Sequence, residues 1–131
     1  MSGYEVLELG APDEWLSRGK QFVDKQLATQ FIGLSVNALA PGGQSPFWHR
    51  HARLEEIYLF LDGQGRMALD DEVIDVQWGT AVRVGQDVWR HLQALPDSPS
   101  ELRWVCIRAG GGELQAITPD SEKDAERPTP W

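Results

Sequence analysis

Two of the three histidines in this chain, His49 and His51, are separated by a single residue. On a β-strand, residues i and i+2 point to the same face, so both imidazoles leave the same side with Cα atoms roughly 6.6 Å apart. That spacing suits two ligands whose bonds of about 2.0–2.1 Å meet at one ion. The pair therefore predicts part of a metal site, from which Arg50 points away.

A carboxylate follows at the start of the next apolar segment, residues 56–61. An antiparallel neighbouring strand would bring Glu56 beside the histidine pair, whereas Glu55 has the opposite parity and turns away. Two imidazoles and one carboxylate form a facial set with open coordination positions, as in non-haem Fe(II) oxygenases. Zinc, manganese and nickel accept the same ligand types. We therefore predict a divalent ion, Fe, Mn, Zn or Ni, held by His49, His51 and Glu56.

Short apolar segments separated by turn formers place these residues on strands. The strand-length segments are residues 31–40, 48–51, 56–61, 66–69, 73–76, 81–84, 88–95, 102–108 and, as a last short strand, 113–117. Turns recur about every 8–12 residues, as in sandwiches and barrels, and no long helical period intervenes. The pattern predicts an all-β fold and argues against a parallel βαβ sheet.

The chain divides into three parts around one expected core. Residues 1–30 are interpreted as an N-terminal arm, residues 31–117 as the barrel and residues 118–131 as a polar tail. The tail has no apolar face to bury, so we expect a solvated or loosely docked extension, which Trp131 could anchor at its end.

Composition excludes several partner classes. Twelve Lys and Arg against twenty Asp and Glu give a formal charge of -8 without a basic stripe, so neither nucleic acid nor an anionic membrane is an expected partner. The longest apolar run, residues 57–61, is too short to cross a bilayer, and the first residues lack a signal peptide, so we expect a cytoplasmic protein. The single cysteine, Cys106, is expected to be a buried, inert thiol.

The spacing around the metal ligands resembles a known family. Gly43, five residues, His49, one residue, His51, four residues, Glu56, six residues and Gly63 match the first cupin motif at every fixed position. The resemblance implies a jelly-roll barrel, also called a double-stranded β-helix, which agrees with the strands counted above. It further implies a small single-domain cupin that forms a homodimer.

The second cupin motif is less complete. Gly79 is followed by five residues and then by residues 85–87, Gly-Gln-Asp, where the family has proline, any residue and glycine. The position of the family's fourth ligand, a histidine, is Arg90, and His91 comes one residue late. Arginine offers only donors and cannot ligate a metal. A shifted turn or bulge would make His91 the fourth ligand, whereas an unshifted strand would point Arg90 inward to clamp a substrate carboxylate or phosphate.

The resemblance implies a metal-dependent enzyme that acts on a small oxygenated organic substrate by dioxygenase, isomerase or decarboxylase chemistry. Arg90 and Tyr58 are the candidate catalytic residues, as contacts to that substrate. The alternative is a non-catalytic small-molecule-binding or sensor module, because a barrel fold does not dictate function.

Overall fold

The computed structural model describes residues 3–131. Within that range the strands are β1 (Gln21–Phe22), β2 (Gly33–Leu39), β3 (Trp48–His51), β4 (Glu55–Asp62), β5 (Gln64–Leu69), β6 (Glu72–Gln77), β7 (Ala81–Val84), β8 (Arg90–Ala94), β9 (Leu102–Ala109) and β10 (Ser121–Asp124). The helices are α1 (Trp15–Arg18), α2 (Val23–Gln26) and α3 (Leu114–Ile117), and a 3₁₀ turn covers Pro12–Glu14. None of these helices is long and apolar enough to span a membrane.

The strands of residues 3–131 form two five-stranded sheets in which all pairs are antiparallel. One sheet has the order β1-β2-β9-β4-β7 and the other has the order β10-β3-β8-β5-β6. The chain crosses repeatedly from one sheet to the other, and buried residues of both sheets form one hydrophobic core. This arrangement confirms the predicted all-β jelly-roll fold.

Alternating burial along the central strands explains why these segments form sheets. In β4, Tyr58 and Phe60 are buried in the core, while Ile57 and Leu61 on the opposite face are 44% and 38% exposed. In β9, Leu102 and Trp104 are likewise buried, while Arg103 between them is only partly buried. Because a strand points successive side chains to opposite faces, this period of two directs one face of each strand into the barrel. Each large apolar side chain buried in this way contributes about 1.5–3 kcal/mol to folding.

Gly63, the last residue of the first motif, has a clear backbone function. It connects β4 directly to β5 with a φ of 80°. A Cβ atom at this position would lie 2.5 Å from the carbonyl oxygen of Glu101. Glycine is therefore required both for the left-handed conformation and for the close approach of the neighbouring chain.

Residues 113–117 contain a helix, so the last strand predicted there is wrong. Leu114 and Ile117 lie three positions apart in α3, and both are buried with Leu54 in a small second cluster. A helix places residues i and i+3 on one face, whereas a strand would turn one of them to solvent. Burial of both apolar side chains therefore favours the helix.

The polar tail contributes a strand to the barrel. Its residues Ser121–Asp124 form β10, which pairs with β3 along the whole of Trp48–His51. Backbone hydrogen bonds of an edge strand need no apolar side chains, which is why hydrophobic patterning gave no indication of this strand. The chain end is also anchored, since the Trp131 indole packs against His91 and its Nε1 donates a 2.9 Å hydrogen bond to Gln44 Oε1.

Candidate metal centre

The structure brings His49, His51 and Glu56 together inside the barrel. The histidines lie on β3 of one sheet, and Glu56 lies on β4 of the other. One potential ligand atom from each residue lies within 4.8 Å of the others. The expectation that the strand carrying Glu56 is a direct neighbour of the histidine strand is wrong, because the carboxylate reaches the pair across the interior between the sheets.

The distances within this cluster fit three ligands of one ion. The Nε2 atoms of His49 and His51 each lie 3.6 Å from Glu56 Oε1. That separation is long for a direct hydrogen bond, but ligands with bonds of about 2.0–2.1 Å at a tetrahedral angle lie roughly 3.4 Å apart. Burial lowers the pKa of His49, which favours the neutral imidazole that a metal requires.

Asp120 holds the His51 ring in a ligating orientation. Its Oδ1 lies 2.7 Å from His51 Nδ1, while its Oδ2 accepts the backbone N–H groups of Arg53 and Leu54 at 2.9 and 3.0 Å. An ionised carboxylate only accepts hydrogen bonds, so the proton of His51 resides on Nδ1 and the Nε2 lone pair faces Glu56. Carboxylate–histidine pairs of this kind orient the ligands of metal sites, so the donor set fits a divalent ion.

Two further side chains contact the Glu56 carboxylate. The Tyr58 hydroxyl donates to Oε1 at 3.1 Å, and Cys106 Sγ donates to Oε2 at 3.2 Å. Burial raises the pKa of both donors well above their ordinary values, so both keep their protons. Burial also acts to raise the pKa of Glu56, but the neighbouring side chains of His49, His51 and Arg90 outweigh it and hold that pKa well below its usual value. Glu56 is therefore an ionised carboxylate.

Arg90 points inward and His91 points outward, which decides between the two alternatives for the fourth position. Arg90 pairs directly with His49 in the register of β8 and β3, without a shift that would turn the next residue inward. His91 instead lies on the other face, packed between the rings of Trp48 and Trp131. His91 is therefore outside the ligand cluster, contrary to its assignment as a fourth ligand.

The Arg90 guanidinium is fully buried beside the cluster. Its Nη1 donates to the carbonyl oxygen of Val88 at 2.9 Å, and its Nη2 lies 3.3 Å from Glu56 Oε1. Within residues 3–131, Nη2 and Nε have no well-aligned hydrogen-bond partner. Arg90 does not line the cavity beside the cluster, so its positive charge acts on Glu56 and on the cavity without exposure to it.

A cavity of about 1060 Å³ opens onto the cluster. The imidazoles of His49 and His51, the Glu56 carboxylate and Tyr58 form part of its wall. Aromatic side chains, among them Phe47, line another part. A small organic molecule in this cavity would contact the metal ligands directly.

The family model for the cupin domain matches residues 36–108, more than half of the chain. The chain belongs to the cupin family. The matched region contains His49, His51, Glu56 and Arg90, so the cluster lies within the cupin domain of this chain.

The chain is similar to one curated protein and to several solved structures. An uncharacterized protein, MJ1618, of Methanocaldococcus jannaschii is 38% identical over 67 residues, which are 51% of this chain and 54% of that protein. The match thus spans about half the length of this curated relative. A cupin protein from Bacteroides fragilis is 29% identical, with a TM-score of 0.76 over 86% of this chain and 88% of that one. A structure of the DMSP lyases RdDddP and RnDddQII shares the fold, with 18% identity and a TM-score of 0.55 over 70% of this chain and 43% of that one.

Sequence reasoning missed Asp120 as part of the site. The residue stands in the polar tail, 69 positions after His51, and no spacing rule connects the two. Residues 118–131 were expected to form only a polar, solvated or loosely docked tail. The one available signal is chemical, because a histidine that ligates a metal requires an acceptor for its second ring nitrogen.

Proposed function

We propose that this cupin is a metal-dependent enzyme that acts on a small oxygenated organic molecule by dioxygenase, isomerase or decarboxylase chemistry. The observation that carries the proposal is the convergence of His49 Nε2, His51 Nε2 and Glu56 Oε1 at the wall of the cavity. Three protein ligands leave coordination positions for a substrate. The presence of lyases among proteins of this fold is compatible with catalysis.

A divalent ion in this position supplies Lewis acidity toward a carbonyl or enolate oxygen of the substrate. The chain's own residues prepare the site. Asp120 keeps the His51 proton on Nδ1, while Tyr58 and Cys106 fix the orientation of the Glu56 carboxylate by donating to different oxygens. Arg90 supplies a fixed positive charge next to Glu56, where it favours a substrate group that carries negative charge.

The test of the ligand assignment is a pair of histidine variants. We expect His49→Ala to lose most of its bound metal, measured by inductively coupled plasma mass spectrometry, because the remaining two ligands bind much more weakly. His91→Gln should keep the wild-type metal content, because His91 lies on the other face of β8. Unchanged metal in His49→Ala would contradict the proposed site.

Wild type and the two histidine variants are also used to test whether the protein is a catalyst. Metal-loaded wild type is screened for turnover of β-diketones, small keto acids and sugars, and we expect His49→Ala to lose any activity found while His91→Gln retains it. Binding of such compounds without turnover would instead support the alternative, a non-catalytic small-molecule-binding or sensor module.

A further inference from the structure

All three lysines of the chain, Lys20, Lys25 and Lys123, line the cavity that contains the metal cluster. Only 29 of the 131 residues form its lining. The protein as a whole has a formal charge of -8, so its overall field repels anions. The cavity lining combines four cationic side chains, these lysines and Arg108, with the carboxylates of Asp24, Glu56 and Asp120, a small positive excess in a protein of negative net charge.

The three ammonium groups are not neutralised by ion pairs. Among residues 3–131, no carboxylate oxygen lies within 4.0 Å of any of them. Each instead lies over an aromatic ring, with Lys20 and Lys25 at 4.8 and 4.3 Å from the centroid of Phe22 and Lys123 at 4.9 Å from that of Phe47. Cation–π contacts hold an ammonium group in place without cancelling its charge.

The carboxylates of the cavity are already engaged elsewhere. Asp24 forms a 2.8 Å ion pair with Arg108, Asp120 binds His51, and Glu56 belongs to the cluster. These contacts leave the lysines as the unpaired charges of the cavity. An anion that enters would find cations available rather than having to displace an existing partner.

Lys123 connects the lysines to the metal cluster. It pairs with His49 in the register of β10 and β3, so the two side chains leave the same face of the sheet. Its ammonium group lies over the ring of Phe47, which also lines the cavity. A ligand that contacts Lys123 is therefore next to the histidines of the cluster.

We infer that the cavity binds a small organic anion, whose charged group is held by Lys20, Lys25 and Lys123 while an oxygenated group reaches the cluster of His49, His51 and Glu56. The inference rests on the proposed function for the metal end and specifies the class of substrate. The lysines select for negative charge, and a neutral analogue of the same shape loses their contribution.

The test uses three probes of nearly the same shape, succinate, succinamate and succinamide, in which amides replace none, one and both of the carboxylates and the charge falls from -2 to 0. Binding to the zinc-loaded full chain is measured by isothermal titration calorimetry at low ionic strength, where charge effects are least screened. We expect the variant Lys20→Gln/Lys25→Gln/Lys123→Gln to bind succinate about tenfold more weakly than wild type and to bind succinamide equally. A parallel titration with glycerol 3-phosphate distinguishes a phosphate from a carboxylate as the preferred anion.

The matched control removes the same number of positive charges outside the cavity, as Arg18→Gln/Arg66→Gln/Arg83→Gln. It should bind succinate within twofold of wild type, since these side chains do not line the cavity. Succinate affinity unchanged in the lysine variant, or equal affinity of wild type for succinate and succinamide, would overturn the inference. Failure of wild type to load zinc would instead refute the proposed metal site, and the lysine effect would then be measured on the metal-free chain.

Discussion

The contact between Asp120 and His51 leads to a sharp prediction for the substitution Asp120→Asn. The side chain keeps its size but changes from four lone-pair sites to one acceptor oxygen and one NH2 donor. If the Asn oxygen faces His51 Nδ1, the NH2 group opposes the two backbone N–H groups of Arg53 and Leu54 that Oδ2 now accepts. If the side chain flips, the NH2 group faces Nδ1 and forces the ring proton onto Nε2, the ligating atom. Either orientation weakens the site.

The expected loss of metal affinity can be estimated because Asp120 orients His51, a proposed metal ligand. Loss of a carboxylate that orients a metal-bound histidine typically lowers metal affinity by about 10–100-fold, or roughly 1.4–2.7 kcal/mol. The Asp120 contact is short, at 2.7 Å, and the His51 side chain is only 11% exposed, so little water is available to replace the lost acceptor. We therefore expect a value toward the upper end of this range.

Metal affinity is measured by competition with a chelator of known affinity near neutral pH. The matched control is Asp124→Asn, on the same strand β10, whose Oδ1 accepts the backbone N–H groups of Glu126 and Arg127 without contacting the cluster. Asp124→Asn should keep wild-type metal affinity even if it lowers stability. Equal metal affinity in Asp120→Asn and Asp124→Asn would refute the reasoning.

Three further predictions concern stability and reactivity. The pKa values of Glu56 and Asp120 lie below their ordinary values in the folded chain. The stabilisation these groups contribute is therefore complete above the ordinary values, and it is lost progressively as the pH falls from there through the lower pKa values of the folded chain. Urea unfolding of the metal-free protein should accordingly show lower stability at about pH 3.5 than at about pH 6, and an unchanged midpoint would contradict this. Trp131→Ala should lose about 1–2 kcal/mol in the same assay through its contacts with His91 and Gln44. Trp78→Ala, at a side chain that is 79% exposed, should change stability by less than about 0.5 kcal/mol, and equal losses in the two variants would refute the anchoring role. Cys106 should react with a thiol reagent far more slowly in the folded than in the urea-unfolded protein, because burial raises the pKa of its thiol. Equal reaction rates would exclude a buried, protonated thiol in the folded protein.

The local part of the site was predictable from the sequence because it depends on short-range geometry. Two residues of equal parity on one strand must share a face, so the common orientation of His49 and His51 follows from their spacing. Gly63 was predictable as a fixed position of the motif, and the structure explains it by a positive φ and the close approach of Glu101. The all-β fold was predictable for the same reason, since periodic burial and turn formers are local properties of the chain.

The parts that could not be predicted depend on contacts between distant segments. Hydrophobic patterning gives no information on which sheet an apolar strand joins, so the position of Glu56 opposite the histidines, rather than beside them, required the three-dimensional structure. The same limit applies to Asp120, whose strand β10 pairs through backbone groups that every residue carries. The choice between Arg90 and His91 depended on the register of β8, which a one-residue shift would have reversed.

The inward position of Arg90 makes the surroundings of the metal cluster more positive than a histidine there would. A histidine in that place would add a neutral ligand and fill a coordination position, whereas the guanidinium adds a positive charge and leaves the position free. With Glu56 as the one carboxylate in the ligand set, a divalent ion and Arg90 together exceed its negative charge. An anionic group bound at that ion would offset the remaining positive charge. Arg90 lies behind Glu56 and does not line the cavity, so it adds positive charge without direct contact, whereas the lysines along the cavity can contact an anion directly. The two features are independent, and both make the cavity more favourable for an anion.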